Sequence, residues 1–232
     1  MRKVLPLLLL AGLVLGACAG TGTQPQQRMI VVTGTGTTRV DPDIAVVYLG
    51  VQTQGSDVGA AVEQNNRRAR AVADTLLERG VAAEDVRTVN FSVSSAPVYD
   101  PMGTPTGEIT YTVDNTIVFT LREPDKLGEI LQLALRAGSN SVQSVSFSVA
   151  DPSIPMDEAR QLATADGKRQ AEQLAAAAGA TLGEVLSIGE GSNVTPIYYE
   201  APAYGKGGGG GVPVESGTLE YQAYITLTYG LK

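Results

Sequence analysis

Residues 56–80 read SDVGAAVEQNNRRARAVADTLLERG, and residues 155–179 read PMDEARQLATADGKRQAEQLAAAAG. Each is a run with helical periodicity that ends in a glycine, and each is flanked by stretches that alternate with a period of two. In the first, Val58, Val62, Ala69, Val72, Ala73, Leu76 and Leu77 form one apolar stripe, and Gly80 is the stop signal. The second carries Ala159, Leu162, Ala163, Ala171, Leu174, Ala175 and Ala178 before Gly179. A flat alanine face lets a helix sit close on a sheet. Two such helices set among strands decide for an α+β fold.

Working outward, strand-like runs cover 29–36, 44–53, 86–98, 108–121, 141–149, 184–188 and 218–229, with a further helical run from Pro124 to Ala137. The clearest alternations are Val89/Phe91/Val93, Val145/Phe147/Val149 and Leu219/Tyr221/Ala223/Ile225/Leu227/Tyr229, each with polar residues between, as in a sheet covered on one face. The spacing from Gly80 to Pro97 and Tyr99 returns between Gly179 and Pro196 and Tyr198. Arg70 and Val86 likewise match Arg169 and Val185, and Val46 and Tyr48 match Val145 and Phe147. The expectation is two β-α-β-β units, 44–121 and 141–231, within one domain at 29–232. Their sheets should be mainly antiparallel, with helices packed on one face and the Pro124–Ala137 helix joining the units.

The chain has 232 residues, 24 acidic and 17 basic side chains, no histidine, no tryptophan and one cysteine. Ser-His-Asp and Cys-His catalysis, histidine-bearing zinc sites, multi-cysteine clusters and disulfides within the chain are therefore excluded. A formal charge of −7 and 5% aromatic residues argue against nucleic acid as a partner, which calls for a basic stripe and stacking platforms. No cofactor is implied.

Met1-Arg2-Lys3 is a short positive start, and the apolar run Val4–Ala17 is too short for a membrane span of about 20 residues. It reads as a secretory signal peptide over residues 1–17. Leu15-Gly16-Ala17-Cys18 resembles the bacterial lipobox, which marks Cys18 for lipidation. Several acyl chains on one residue anchor a protein stably where one does not. Ala19 after the cysteine resembles an outer-membrane sorting signal. Residues 18–28 then form a small, polar tether, so the fold is expected lipid-anchored at a membrane surface, facing the periplasm.

The remaining candidates are weak. Asp41/Asp43, Glu84/Asp85 and Asp157/Glu158 are carboxylate pairs of the kind a glycosidase uses, but each falls at a strand or helix entry, where turn chemistry or the helix dipole accounts for it. Arg67, Arg68 and Arg70, with Glu63 and Asp74 at helical spacing, read as a solvated helix face, with anionic lipid head groups as the functional alternative. Tyr198, Tyr199 and Tyr224 form a candidate aromatic patch for a ligand or a subunit. The glycine run Gly207–Gly211 after Lys206 lacks the Ser or Thr and the helix that a phosphate-binding loop needs. It reads as an exposed loop or a contact for an envelope partner.

Several stretches resemble the SIMPL-domain family of bacterial envelope proteins: Ile30-Val-Val-Thr-Gly-Thr-Gly36, Pro42-Asp43-Ile44-Ala45, Asn65-Asn66, Pro97-Val98-Tyr99-Asp100, Lys126-Leu127-Gly128, Phe147-Ser148-Val149, Glu158-Ala159-Arg160 and Ala171-Glu172-Gln173-Leu174-Ala175. The likeness runs over nearly all of 29–230. One departure is Gly167, where the family usually has alanine and where glycine in a helix costs about 1 kcal/mol. The resemblance implies a secreted or periplasmic α+β protein without an established enzymatic activity, with members linked to oxidative-stress tolerance or oligomers, and it carries over no catalytic residue. The expected function is association, as a possible homo-oligomer, in envelope maintenance or stress tolerance. The alternatives are a carboxylate-based hydrolase of envelope polymers, or a small-molecule binding module around Tyr198 and Tyr224.

Overall fold

The computed structural model describes residues 28–191, 197–199 and 216–232. The signal segment 1–17, Cys18, most of the tether, Tyr204 and the Gly205–Gly211 loop lie outside the described residues. The elements in chain order are β1 (Met29–Val40), β2 (Ile44–Gly55), α1 (Val58–Glu78), β3 (Val86–Tyr99), β4 (Pro105–Leu121), α2 (Leu127–Ala137), β5 (Ser141–Ser148), α3 (Ser153–Ala177), β6 (Leu182–Glu190), β7 (Ile197–Tyr199) and β8 (Thr218–Leu231). Short 3-10 turns precede β3 and α2. The fold is mixed, with two antiparallel sheets, as the alternating periods predict.

One sheet has the order β3-β4-β2-β5; the other runs β1-β8-β6, with β7 also paired to β8. The order β3-β4-β2 is thus matched by β6-β8-β1. The strand beside β8 comes from before the first unit, with Gly34 opposite Ile225 and Gly36 opposite Ala223. β5, which precedes α3 in the chain, instead pairs with β2, Val47 opposite Val145. Periodicity tells which face of a strand is buried and is silent about which strand lies beside it.

Both long helices end the same way. In α1 the Val81 N–H donates to the Leu76 carbonyl (3.1 Å) and the Gly80 N–H to that of Leu77 (3.0 Å); in α3 Ala180 reaches Ala175 (2.9 Å) and Gly179 reaches Ala176 (3.1 Å). These bonds satisfy carbonyls the helix leaves open, and they require a left-handed residue, with φ 88° at Gly80 and 70° at Gly179. At its start α1 is capped by Asp57, whose Oδ1 accepts from the Ala60 N–H at 2.7 Å.

The two helix layers differ in kind. α1 and α2 close a core of large side chains, among them Leu49, Leu76, Phe119, Leu127, Ile130 and Leu131. α3 instead lies backbone against backbone on β1, through Ala159, Ala163, Gly167, Ala171 and Ala175, all buried and four residues apart. A Cβ on Gly34 would overlap the carbonyl of Ala163 and the N–H of Gly167, and one on Gly36 would overlap the backbone of Ala159 and Ala163. At Gly167 a Cβ would meet Leu227 Cδ1 at 2.9 Å and Gly34 N at 3.3 Å. The helix-propensity cost of Gly167 is therefore offset by close approach to β1.

Three expected faces are corrected. Val58 and Leu77 are exposed, and the buried face of α1 is Ala61, Asn65, Ala69, Val72 and Leu76. Leu162 and Leu174 of α3 are also exposed, because the seam is only as wide as the small residues. The alternation Val89/Phe91/Val93 does not mark a covered face: those side chains keep 47%, 48% and 43% of their exposure. β3 is the outermost strand of its sheet, beyond the strands that α1 covers.

Candidate functional site

Of the paired carboxylates, Asp43, Glu84 and Asp85 gather around Arg122, and Asp157 lies on α3. Asp43 lies in the turn between β1 and β2, where its Oδ1 accepts the Ala150 N–H at 2.7 Å and ties the β5–α3 connection to that turn. Asp85 sits before β3 and accepts from Arg122 at 2.8 and 3.1 Å, which raises the arginine's pKa. Asp157 pairs with Arg160 at 2.8 Å, and Arg160 also reaches Glu190 at 2.7 Å. Asp166 accepts the Thr35 N–H of β1 at 3.1 Å as well as pairing with Arg169. The Thr35 N–H first, then the guanidinium, hold the Asp166 carboxyl below its ordinary range. Asp43, Asp85 and Asp166 thus each join two parts of the fold, and Asp157 holds Arg160, which reaches β6.

Two surfaces stand out instead. The first is the outer edge of β3. Between its two register irregularities, at Thr88/Asn90 and Pro97/Tyr99, the run Asn90–Ala96 is regular and holds neither charge nor proline. Edge strands are ordinarily protected by lysine, proline or a bulge against pairing with another chain. This run lacks such protection, and it exposes Phe91 and Val93. At the tip of the same hairpin Tyr99 and Met102 are exposed as well.

The second is a cavity of about 280 Å³ between α1 and the β3–β4 pair, lined by Asn66 and Arg70 of α1, Arg87 and Thr88 of β3, and Asn115 and Ile117 of β4. The sequence placed Arg67, Arg68 and Arg70 on one solvated face, and the structure separates them. Arg67 pairs with Glu63 at 3.5 Å, Arg68 lies against Gly138, and Arg70 turns to the cavity without an ion pair to Asp74 among the described residues. The family resemblance singled out Asn65 without saying that it is buried, and periodicity gave no sign of Asn115, because a polar residue reads as surface. Asn65 is fully buried, and its Nδ2 donates to the carbonyls of Val51 (2.7 Å) and Val113 (3.0 Å) on adjacent strands. Asn115 is 7% exposed, and its Oδ1 has no hydrogen-bond partner among the described residues.

Of the tyrosine patch, Tyr224 is exposed, as its phase in β8 predicts, and its hydroxyl donates to Gln222 Oε1 at 2.5 Å. Tyr198 and Tyr199 belong to β7, opposite Leu219 and Thr218, but their side chains lie outside the described residues. No described helix is long and apolar enough to cross a membrane.

The model of the SIMPL family, "Protein of unknown function (DUF541)", matches residues 30–229. This chain belongs to the SIMPL family. Its SIMPL relatives include the Escherichia coli (strain K12) protein "Uncharacterized protein YggE", 32% identical over 186 residues, 80% of this chain and 74% of that one. The Brucella melitensis "26 kDa periplasmic immunogenic protein" is 32% identical over 171 residues, 72% and 68% of the two chains. The SIMPL match spans both sheets from β1 to β8, and so includes the Gly34–Gly36 seam and the unprotected edge of β3.

Proposed function

We propose that this SIMPL protein is exported, lipid-anchored at Cys18 on the periplasmic face of the outer membrane, and acts there without catalysis, by association of its own copies along β3. The observation that carries the reading is the regular, uncharged edge Asn90–Ala96 with Phe91 and Val93 exposed. A second copy offering the same strand would continue the sheet antiparallel and cover those side chains. The name of the Brucella relative supports a periplasmic location, and the lipobox-like Leu15–Cys18 supports the anchor. Once the only cysteine carries lipid, the domain has no thiol with which to remove oxidants. A part in stress tolerance or envelope maintenance is then structural.

Light scattering on the Cys18→Ala chain tests the association: a multimer that Phe91→Lys with Val93→Lys converts to a monomer is expected, and a wild-type monomer at high concentration contradicts it. The anchor is tested separately by labelling cells with a radioactive fatty acid. Label on the wild-type chain should vanish in Cys18→Ala, and persistent label refutes it.

A further inference from the structure

The helix layer over the β3-β4-β2-β5 sheet is one wall short. Asn65 donates to carbonyls of both β2 and β4, which fixes α1 over the boundary between those strands, and no described helix lies beyond it over β3. The side of α1 that looks over β3 is largely apolar. Ala69 and Ala73 line the cavity of about 280 Å³ there, and Val62 and Leu77 continue that side by one turn in each direction. Below them, Phe91 and Val93 share the same face of the sheet, because they pair with Asn115 and Val113 under α1. The result is an apolar shelf with a floor and one wall, open at the edge of the sheet. Among the described residues only Arg70 brings charge to it: the alternation of β3 turns the Arg87 side chain to the opposite face, and the lining holds no acid.

A second copy paired antiparallel along β3 would supply the missing wall, so the site rests on the proposed association. In that two-fold arrangement four strand spacings separate the two α1 axes, about 19 Å, and leave a trough of about 8 Å between helices about 11 Å wide. A further helix would fill it only by lying on the two-fold axis, which a single asymmetric helix cannot obey. Two hydrocarbon chains, each about 4 Å across at van der Waals contact, fit side by side and antiparallel, one for each copy. From Arg70 back to Val58, α1 offers each chain about 18 Å of wall. A guanidinium without an acid at one end of an apolar trough selects an anionic head, and its fork suits a carboxylate. We propose that paired copies bind two medium-chain fatty acids in this trough, each carboxylate on an Arg70 and each tail on the floor that Phe91 and Val93 of both copies form.

Dodecanoate is the probe, used below its micelle-forming concentration, and dodecanol, with the same tail and no charge, is its control. Both are titrated calorimetrically into the full Cys18→Ala chain, which carries no acyl chain of its own, with light scattering on the same samples. One dodecanoate per chain is expected in the multimer, and dodecanol should bind at least about tenfold more weakly. Arg70→Gln, a change at an exposed position, should weaken dodecanoate about tenfold while leaving dodecanol binding, the multimer and the circular dichroism as in the parent chain. A multimer that takes up no dodecanoate overturns the site and leaves the association along β3 standing. Dodecanoate bound equally well by a monomer, equal affinities for acid and alcohol, or dodecanoate binding unchanged in Arg70→Gln overturns the site as well. A chain that neither multimerises nor binds removes the association and the site together.

Discussion

The two sheets solve one problem, covering an apolar face with a helix, by opposite means. Over β2 and β4 the space is filled by Phe119, Leu76, Leu127 and Ile130, so the helices stand off and side chains interlock. Over β1 and β8 the side chains are withdrawn until α3 touches β1 through Gly34, Gly36 and Gly167. The lesson is that a helix can cover a sheet through a thick interface or a thin one, and each is sensitive to a different kind of change. The thin seam is vulnerable to added atoms and the thick one to removed atoms.

The largest effect should come from Gly36→Val. No side-chain movement relieves an overlap with the backbone of Ala159 and Ala163, so a loss above about 4 kcal/mol, or failure to fold, is expected in urea titration. Phe119→Ala removes the largest fully buried side chain of the other core and should cost about 3–5 kcal/mol by the same measurement. If Gly36→Val were tolerated better than Phe119→Ala, the contrast between the interfaces would collapse. Asn65→Ala frees two strand carbonyls from their buried donor and should cost about 1–3 kcal/mol.

A smaller effect concerns the polar clasp on the seam. Asp166 titrates below its unfolded value because it accepts the Thr35 N–H and faces Arg169. Its contribution is therefore complete above the ordinary aspartate pKa of about 3.9 and is lost as pH falls through the lower folded value. Asp166→Asn should melt below the wild type at neutral pH, with the gap closing under acid conditions. A gap that stays constant would mean that the carboxylate's charge is not what holds β1.

Much of this architecture is legible in the sequence, because alternation and helical stripes mark elements wherever one face is buried. The termini of β2, α1, β5 and α3 fall within a few residues of their periodic runs, and both helix stops are written as glycine. Three things were hidden, each for a physical reason. The exchange of β1 for β5 beside β8 leaves no mark, since either strand presents the same alternation. The role of Gly167 is invisible from propensity, which sees only the helix and not the strand pressed against it. The apolar alternation of β3 looks like core because the sequence does not say that the strand lies beyond the helix layer. That strand, patterned for burial and exposed among the described residues, is the one the proposed association would cover. The candidate cavity was legible only through Arg70, because Arg87 and Asn115 reach it from separate strands.

The central claim, that β3 pairs with another copy, is tested most directly by hydrogen exchange on the full chain at rising protein concentration. Amides of Asn90–Ala96 should become markedly slower to exchange at high concentration, while those of β8, already paired on both sides, stay unchanged. Exchange in Asn90–Ala96 that is fast and independent of concentration would contradict the account.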